Sequence, residues 1–151
     1  MLEMRQAVAA DADAVRALTR EAYGKWVAVT GREPLPMRVD YNEAIAKHRF
    51  DLLEQDGQLV ALIETAREAD RFLIVNVAVS LAHQKRGLGR RLLAHAERLA
   101  VEAGYREIRL YTNSRMAENI ALYKSLGYRV DREEPFATSI QVHMSKALAP
   151  P

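Results

Sequence analysis

The sequence predicts a mixed α/β (α+β) fold, a single domain whose central sheet of six or seven strands carries about four helices on its faces. Three observations predict it. Strand-like and helix-like periodicities follow one another in the order β, α, α, three strands, α, β, α and two strands, with no internal repeat. Between Phe72 and Gly127 the order strand, helix, strand, helix implies a parallel crossover. A chain of 151 residues that is 49% apolar and 28% charged, with no low-complexity run, is long enough for one core and short for two. The expected domain covers residues 1–148, and 149–151 read as a tail.

A short opening strand over Leu2 to Ala7 gives way at "AADADAV" to a helix, for which Asp11 is the expected N-cap and Asp13 a favourable first-turn acid. Val15, Leu18, Ala22 and Trp26 recur at helical spacing, so one helix is expected through Trp26. Gly31, Pro34 and Pro36 then oppose regular structure in "TGREPLPMRVDY", a loop with its own apolar residues. A short helix near Asp40 to His48 leads into "FDLLEQDGQLVALIETA", two strands joined at the hairpin signal Asp56-Gly57. "RFLIVNVAVS" is apolar on both alternating faces from Phe72 to Val79, as a covered central strand should be, and Asn76 is its one polar interruption. Leu88, Leu92, Ala96, Leu99 and Ala103 then mark an amphipathic helix that Gly104 stops. "REIRLYT" alternates as a strand, and "NSRMAENIALYKSLGY" reads as a helix begun at Asn113 or Ser114 and ended by Gly127. "GYRVDREE" and "ATSIQVHMSKAL" close the chain as two strands.

Net charge is only +2, from 22 basic and 20 acidic residues, which is a mixed surface and not a nucleic-acid footprint. With no cysteine, a disulfide framework, a thiol nucleophile and a zinc-thiolate site are excluded, and no metal is expected. The N-terminal residues lack the pattern of a signal peptide, and no run approaches the ~18 apolar residues that cross a bilayer. The expectation is a cytoplasmic protein without a membrane or nucleic-acid partner.

The chemistry concentrates in "HQKRGLGRRLL". A helix N-terminus leaves its first amides unpaired and favours phosphate oxygens, and Gly87 and Gly89 remove side chains that would block close approach. A dinucleotide fingerprint would need a glycine where Leu92 stands, and a phosphate-binding Gly-Lys-Ser/Thr would need Lys where Arg90 stands. What remains is Gln84-Lys85-Arg86-Gly87-Leu88-Gly89, a Q-x-x-G-x-G run between a buried strand and an amphipathic helix. It resembles the acyl-CoA-binding motif of the GNAT family of N-acetyltransferases. "LYTNSRMAENIALYKSLGYRV" resembles the strand and helix that follow in that family, with Asn119, Leu122, Tyr123, Gly127 and Tyr128 at matching places. The resemblance spans roughly Val75 to Val130. It departs at Leu81, where relatives often carry proline.

The resemblance implies an enzyme that moves an acetyl group from acetyl-CoA to a primary amine of a small molecule, peptide or protein by direct attack. It implies that the amides of the Gln84 to Arg90 loop hold the pyrophosphate and that Val77, Ala78 and Val79 pair with the pantetheine arm. A backbone amide near Val79 would polarise the thioester carbonyl. Asn119 and Tyr123, four apart, share one helix face. By resemblance Asn119 anchors the cofactor arm and Tyr123 is the acid at the departing sulfur, where the residues alone favour a core aromatic with its hydroxyl at the rim.

For the base, Glu64 stands on the strand before the central one, where relatives can carry a carboxylate; a glutamate facing solvent is the alternative. The acceptor pocket is expected from "TGREPLPMRVDY", with Trp26, Pro36, Met37 and Tyr41 as walls. Asn76 could order a water there, and Asp40 or Glu33 could attract a cationic amine, the alternative being solvated loop acids. The rival function is a catalytically silent acyl-CoA sensor or partner-binding module. A homodimer is common in the family, and the strand Ile140 to Ser145 offers an edge for one.

Overall fold

The computed structural model describes residues 1–136 and 139–149. Seven strands form one sheet in the order β1-β2-β3-β4-β5-β7-β6, flanked by five α-helices. The strands are β1 (Leu2–Gln6), β2 (Arg49–Gln55), β3 (Gln58–Arg67), β4 (Phe72–Val79), β5 (Glu107–Asn113), β6 (Arg129–Phe136) and β7 (Ser139–Ala147). The helices are α1 (Ala12–Tyr23), α2 (Trp26–Thr30), α3 (Tyr41–Lys47), α4 (Leu88–Glu102) and α5 (Ala117–Ser125). All pairings are antiparallel except β4 with β5, the parallel crossover that α4 spans.

Strand alternation sorts apolar residues onto two faces. Leu52, Leu62 and Ala78 pack with Val15 and Leu18 of α1 and Tyr41 of α3. Leu53, Ile63 and Ile74 pack beneath Leu88, Leu92 and Ala96 of α4. Leu52, Leu53, Leu62 and Leu92 are fully buried, each stabilising the fold by about 2 kcal/mol.

Four expectations need correction. The first helix does not run through Trp26: it ends at Tyr23, Gly24 and Lys25 intervene, and Trp26 opens α2. Asp11 does not cap α1 with its side chain, because the carboxylate accepts from the Arg5 guanidinium (2.7 and 2.9 Å) and the Val8 amide (2.7 Å). The last helix starts later than Asn113 or Ser114, since Asn113 Oδ1 instead accepts from the Arg115 amide and the Ser139 hydroxyl, both at 2.9 Å, and so builds a turn. The Ile140 to Ser145 strand is no edge, because β7 inserts between β5 and β6. The outer strand on that side is β6, whose Arg129, Asp131, Arg132, Glu133 and Glu134 disfavour sheet pairing with another chain. Ala137 and Thr138, at the start of the last expected strand, and residues 150 and 151 of the expected tail lie outside the described residues.

One irregularity positions the site. Glu64 faces Asn76 and Thr65 faces Ile74, so Val75 has no partner on β3 and β4 carries a bulge there. The β4–β5 pairing stops at the same place: only Phe72 to Ile74 lie against Ile108 to Leu110. Beyond it β4 continues to Val79 and β5 to Asn113 without pairing to each other, and a gap opens between them. Val75, Val77 and Val79, expected to be covered, are half-buried for this reason.

Candidate active site

The gap joins two clefts of about 290 Å³ each. Tyr23, Val77, Asn119 and Tyr123 line both and so mark their junction. Among the described residues no helix is long and apolar enough to cross a membrane, and no cluster of His, Asp or Glu could hold a metal ion.

The first cleft lies against the start of α4. Lys85 (φ +63) and Gly87 (φ +82) adopt left-handed conformations that turn the chain sharply into the helix. Arg91 N donates to Gly87 O at 3.0 Å, the first α4 hydrogen bond, which leaves the amides of Leu88, Gly89 and Arg90 without intrahelical acceptors. A Cβ placed on Gly87 or Gly89 would meet no protein atom within 4 Å, so open space stands over these amides. Lys25, Lys85 and Arg90 line the same cleft against one acid, Glu118, 3.8 Å from Lys25, so its mouth carries net positive charge. An anion with several oxygens fits there by hydrogen bonding, charge and the helix dipole together.

From this mouth the cleft runs along β4. Ser80 N donates to Val60 O at 2.9 Å, so by antiparallel alternation the amides of Val77 and Val79 point away from β3 into the gap. Their carbonyls point the same way and are already occupied. Val77 O accepts from the Tyr23 hydroxyl and Val79 O from Gln84 Nε2, both at 3.1 Å. The strand therefore presents free N–H groups to a ligand in the gap. Gln84, whose Oε1 accepts from Lys25 Nζ at 3.4 Å, pins the loop to β4 with its side chain.

The cofactor-site candidates converge here with one exception, and one residue expected elsewhere joins them. Val77, Ala78, Val79, Gln84, Lys85 and Gly87 line this cleft, as do Leu88, Gly89, Arg90, Asn119 and Tyr123. Arg86 does not, and stands exposed outside it. Trp26, expected as an acceptor wall, lies in this first cleft with the Lys25 ammonium 5.1 Å from its ring centre.

The second cleft opens between the 32–39 segment, the bulge of β4 and the ends of β5, β6 and β7. Glu64 lines it and is 3% exposed, so the solvent-facing alternative does not hold. Its Oε2 lies 2.7 Å from His48 Nδ1. Burial pushes the Glu64 carboxyl above the usual carboxylate range, and the His48 hydrogen bond opposes that rise. His48 is not part of the cleft lining, and its side chain is 34% exposed. Asn76 also lines the cleft; its Nδ2 donates to Tyr41 Oη at 3.4 Å, while its buried Oδ1 has no partner among the described residues.

Burial raises the nearby phenols, Tyr41 and Tyr123 to about 12 and Tyr23 and Tyr111 in the same direction. All four stay protonated at neutral pH. Tyr123 is half-buried, its ring packed edge-on against Tyr128 at 5.9 Å.

Of the expected acceptor residues, Tyr41 and Asn76 line this cleft and Met37 and Asp40 do not. Met37 is buried under α1, where its carbonyl accepts from Arg20 at 3.0 Å. Asp40 caps α3, its carboxylate accepting from the Asn42 amide at 3.0 Å. Glu33 lines the rim but is paired with Arg20 at 2.9 Å. Sequence reasoning missed Tyr23, His48, Tyr111, Phe136 and Ile140. Tyr23 continues the apolar stripe of α1, which was a signal; His48 and Glu64 meet across sixteen residues with no periodic mark.

Residues 12–128 match the family model described as "Acetyltransferase (GNAT) family". The ribosomal protein bS18-alanine N-acetyltransferase of Escherichia coli K12 is 36% identical over 76 residues, 50% of this chain and 51% of that protein. The uncharacterized protein YxbD of Bacillus subtilis is 31% identical over 83 residues, 55% of this chain and 51% of that one. The chain thus aligns with about half the length of these curated relatives. The PaiA N-acetyltransferase of Thermoplasma acidophilum, solved in complex with coenzyme A, superposes with a TM-score of 0.83 at 20% identity, covering 97% of this chain and 99% of that one. YncA of Salmonella typhimurium, solved with its cofactor acetyl-CoA, gives 0.75 at 22% identity, covering 99% and 95%.

Proposed function

The chain belongs to the GNAT family of acetyltransferases, and we propose that it transfers the acetyl group of acetyl-CoA to a primary amine by direct attack within one ternary complex. The observation that carries this reading is the single gap that links a cationic, amide-lined helix mouth to a second cleft holding a buried carboxyl, with Tyr123 at the junction.

Acetyl-CoA fits the first cleft. Free amides at Leu88, Gly89 and Arg90 suit the pyrophosphate, and the outward amides of Val77 and Val79 suit an amide-bearing arm and the thioester carbonyl. When bound, acetyl-CoA supplies an activated acetyl carbonyl and a thiolate leaving group. The chain's own residues do the rest. Glu64 takes the proton of the amine entering from the second cleft, and His48 holds the carboxylate in its ionised form by donating from Nδ1. Asn119 orients the cofactor arm. The Tyr123 phenol, protonated throughout neutral pH, donates to the departing sulfur. In this reading the enzyme is cytoplasmic and requires no metal.

Two expected outcomes test the parts. Gly89 has open space where a Cβ would stand and no positive φ, so Gly89→Ala should raise stability by up to about 1 kcal/mol through helix propensity. The same methyl fills the anion cradle. Acetyl-CoA KM should rise about tenfold while Tm stays level or increases, a combination readable by thermal melts beside initial rates.

His48→Ala should move the acid limb of the pH-rate profile toward higher pH. Losing a donor to the ionised carboxyl raises its pKa further, so activity at neutral pH falls. Tyr23, Tyr41 and Tyr111, the phenols near Glu64, stay neutral across that range and leave the limb to the Glu64 carboxyl. A limb left in place by the substitution would remove His48 from the account.

The reading as a whole is tested by initial rates with acetyl-CoA and amine both varied. Direct attack gives intersecting double-reciprocal lines, whereas an acetylated enzyme intermediate gives parallel ones. A silent acyl-CoA sensor gives no rate at all.

A further inference from the structure

Of the ten large hydrophobic side chains that stand exposed among the described residues, five line the second cleft: Leu35, Val39, Tyr111, Phe136 and Ile140. A surface that gathers half of its exposed hydrophobics around one depression is covered by an apolar ligand when it works. Leu35 and Val39 come from the segment before α3, and the other three from β5, β6 and β7, so the walls face each other across the opening.

The polar groups divide by depth. At the inner end are Glu64, 3% exposed, and Asn76, 3% exposed, whose Oδ1 has no hydrogen-bond partner among the described residues. Both are acceptors, and an ammonium or amine N–H satisfies them. At the rim are Arg32 and Arg38, which form no ion pair among the described residues, while the neighbouring Glu33 is neutralised by Arg20. Charge therefore favours a cation inside and opposes one at the mouth.

We propose that the acceptor is a small amine on a single hydrocarbon body, alkyl or aryl, whose amine reaches Glu64 and Asn76 and whose body lies between Leu35 and Val39 on one side and Phe136 and Ile140 on the other. A second cationic group, as in a polyamine, meets Arg32 and Arg38 and is rejected. This rests on the reading of the second cleft as the acceptor side of acetyl transfer. It narrows that reading from any primary amine to one chemical class.

The test uses the full chain saturated with CoA and the series propylamine, butylamine, pentylamine and hexylamine, titrated calorimetrically. CoA release from acetyl-CoA is followed with the same amines, 2-phenylethylamine, spermidine and an alanine-initiated peptide. Burying one methylene is worth ~0.8 kcal/mol, so affinity and kcat/KM should rise about fourfold per carbon and roughly sixtyfold from propylamine to hexylamine. Ile140→Ser, at a side chain 42% exposed and so tolerant of change, should flatten the series. Arg38→Glu should raise the rate with spermidine.

A flat series, or spermidine or the peptide outperforming hexylamine, overturns the inference while leaving acetyl transfer intact. The methylene trend in binding without CoA release from any amine does the reverse: the cleft's ligand stands and the transfer reading falls.

Discussion

Tyr123→Phe should lower kcat about a hundredfold or more while acetyl-CoA KM changes little. The substitution removes one hydroxyl and keeps the ring, so the edge-on contact with Tyr128 at 5.9 Å survives and the fold is not at issue. On the proposed mechanism what is lost is the proton donor, a hydroxyl at the junction of the two clefts, and positioned acid catalysis contributes roughly 10²–10⁴ in rate. Burial pushes this phenol up to about 12, so it stays protonated across the working range and should produce no alkaline fall in rate below that value. A phenol so weakly acidic acts by hydrogen bonding to charge that develops on sulfur. The effect therefore belongs in kcat, where transition-state interactions are read. Tyr23→Phe is the matched control, because that hydroxyl is already committed to Val77 O and should matter much less. Equal losses in the two variants would assign the effect to the strand geometry of β4 and remove Tyr123 from the chemistry.

Glu64→Gln should cut kcat/KM for the amine by about two to three orders of magnitude near neutral pH, as expected for loss of a general base. The deficit should shrink as pH rises toward the amine's own pKa, near 10, since an amine that arrives neutral needs no base. Stability should move the other way. The Glu64 carboxyl binds its proton more tightly in the folded chain than in the unfolded one, so folding stability falls as pH rises through that interval. Glutamine removes this term and can still accept from His48 Nδ1. At neutral pH the variant should melt at the same temperature or higher, a trade of stability for activity. A variant that is both inactive and markedly less stable would mark Glu64 as a structural residue.

The parts of the fold that were legible in the sequence are those set by local pattern. The β2–β3 turn followed from Asp56-Gly57, both at positive φ, and α4 from apolar residues three and four apart. The helix mouth was legible for a different reason: an anion cradle needs backbone freedom, and glycine writes that need in the letters themselves. Less accessible was whatever depends on strand order. That β7 inserts between β5 and β6 carries Ile140 and Phe136 to the second cleft, and nothing in "GYRVDREE" or "ATSIQVHMSKAL" states it. The bulge at Val75 was equally silent, yet it separates β4 from β5 and opens the gap on which the site depends.

Asp40 teaches a different lesson. Its charge suits attraction of an amine, but its place directly before the periodic run Tyr41 to Lys47 is the position of a helix cap, and that local role claims it. Trp26 lies elsewhere than expected because α1 ends at Tyr23 and Trp26 opens a separate helix, and Met37 because its apolar side chain is buried under α1, where its carbonyl accepts from Arg20.

The chain has no cysteine, so any free thiol that appears during turnover comes from CoA alone. The central claim is therefore tested most directly by mixing the protein with acetyl-CoA and hexylamine and measuring thiol release against N-acetylhexylamine formed. The account predicts one thiol per acetylated amine, no release without amine, and at least a hundredfold slower release with Tyr123→Phe. Thiol release that does not depend on an amine, or none with any amine in the panel from a protein that CoA fails to stabilise against heat, would contradict it.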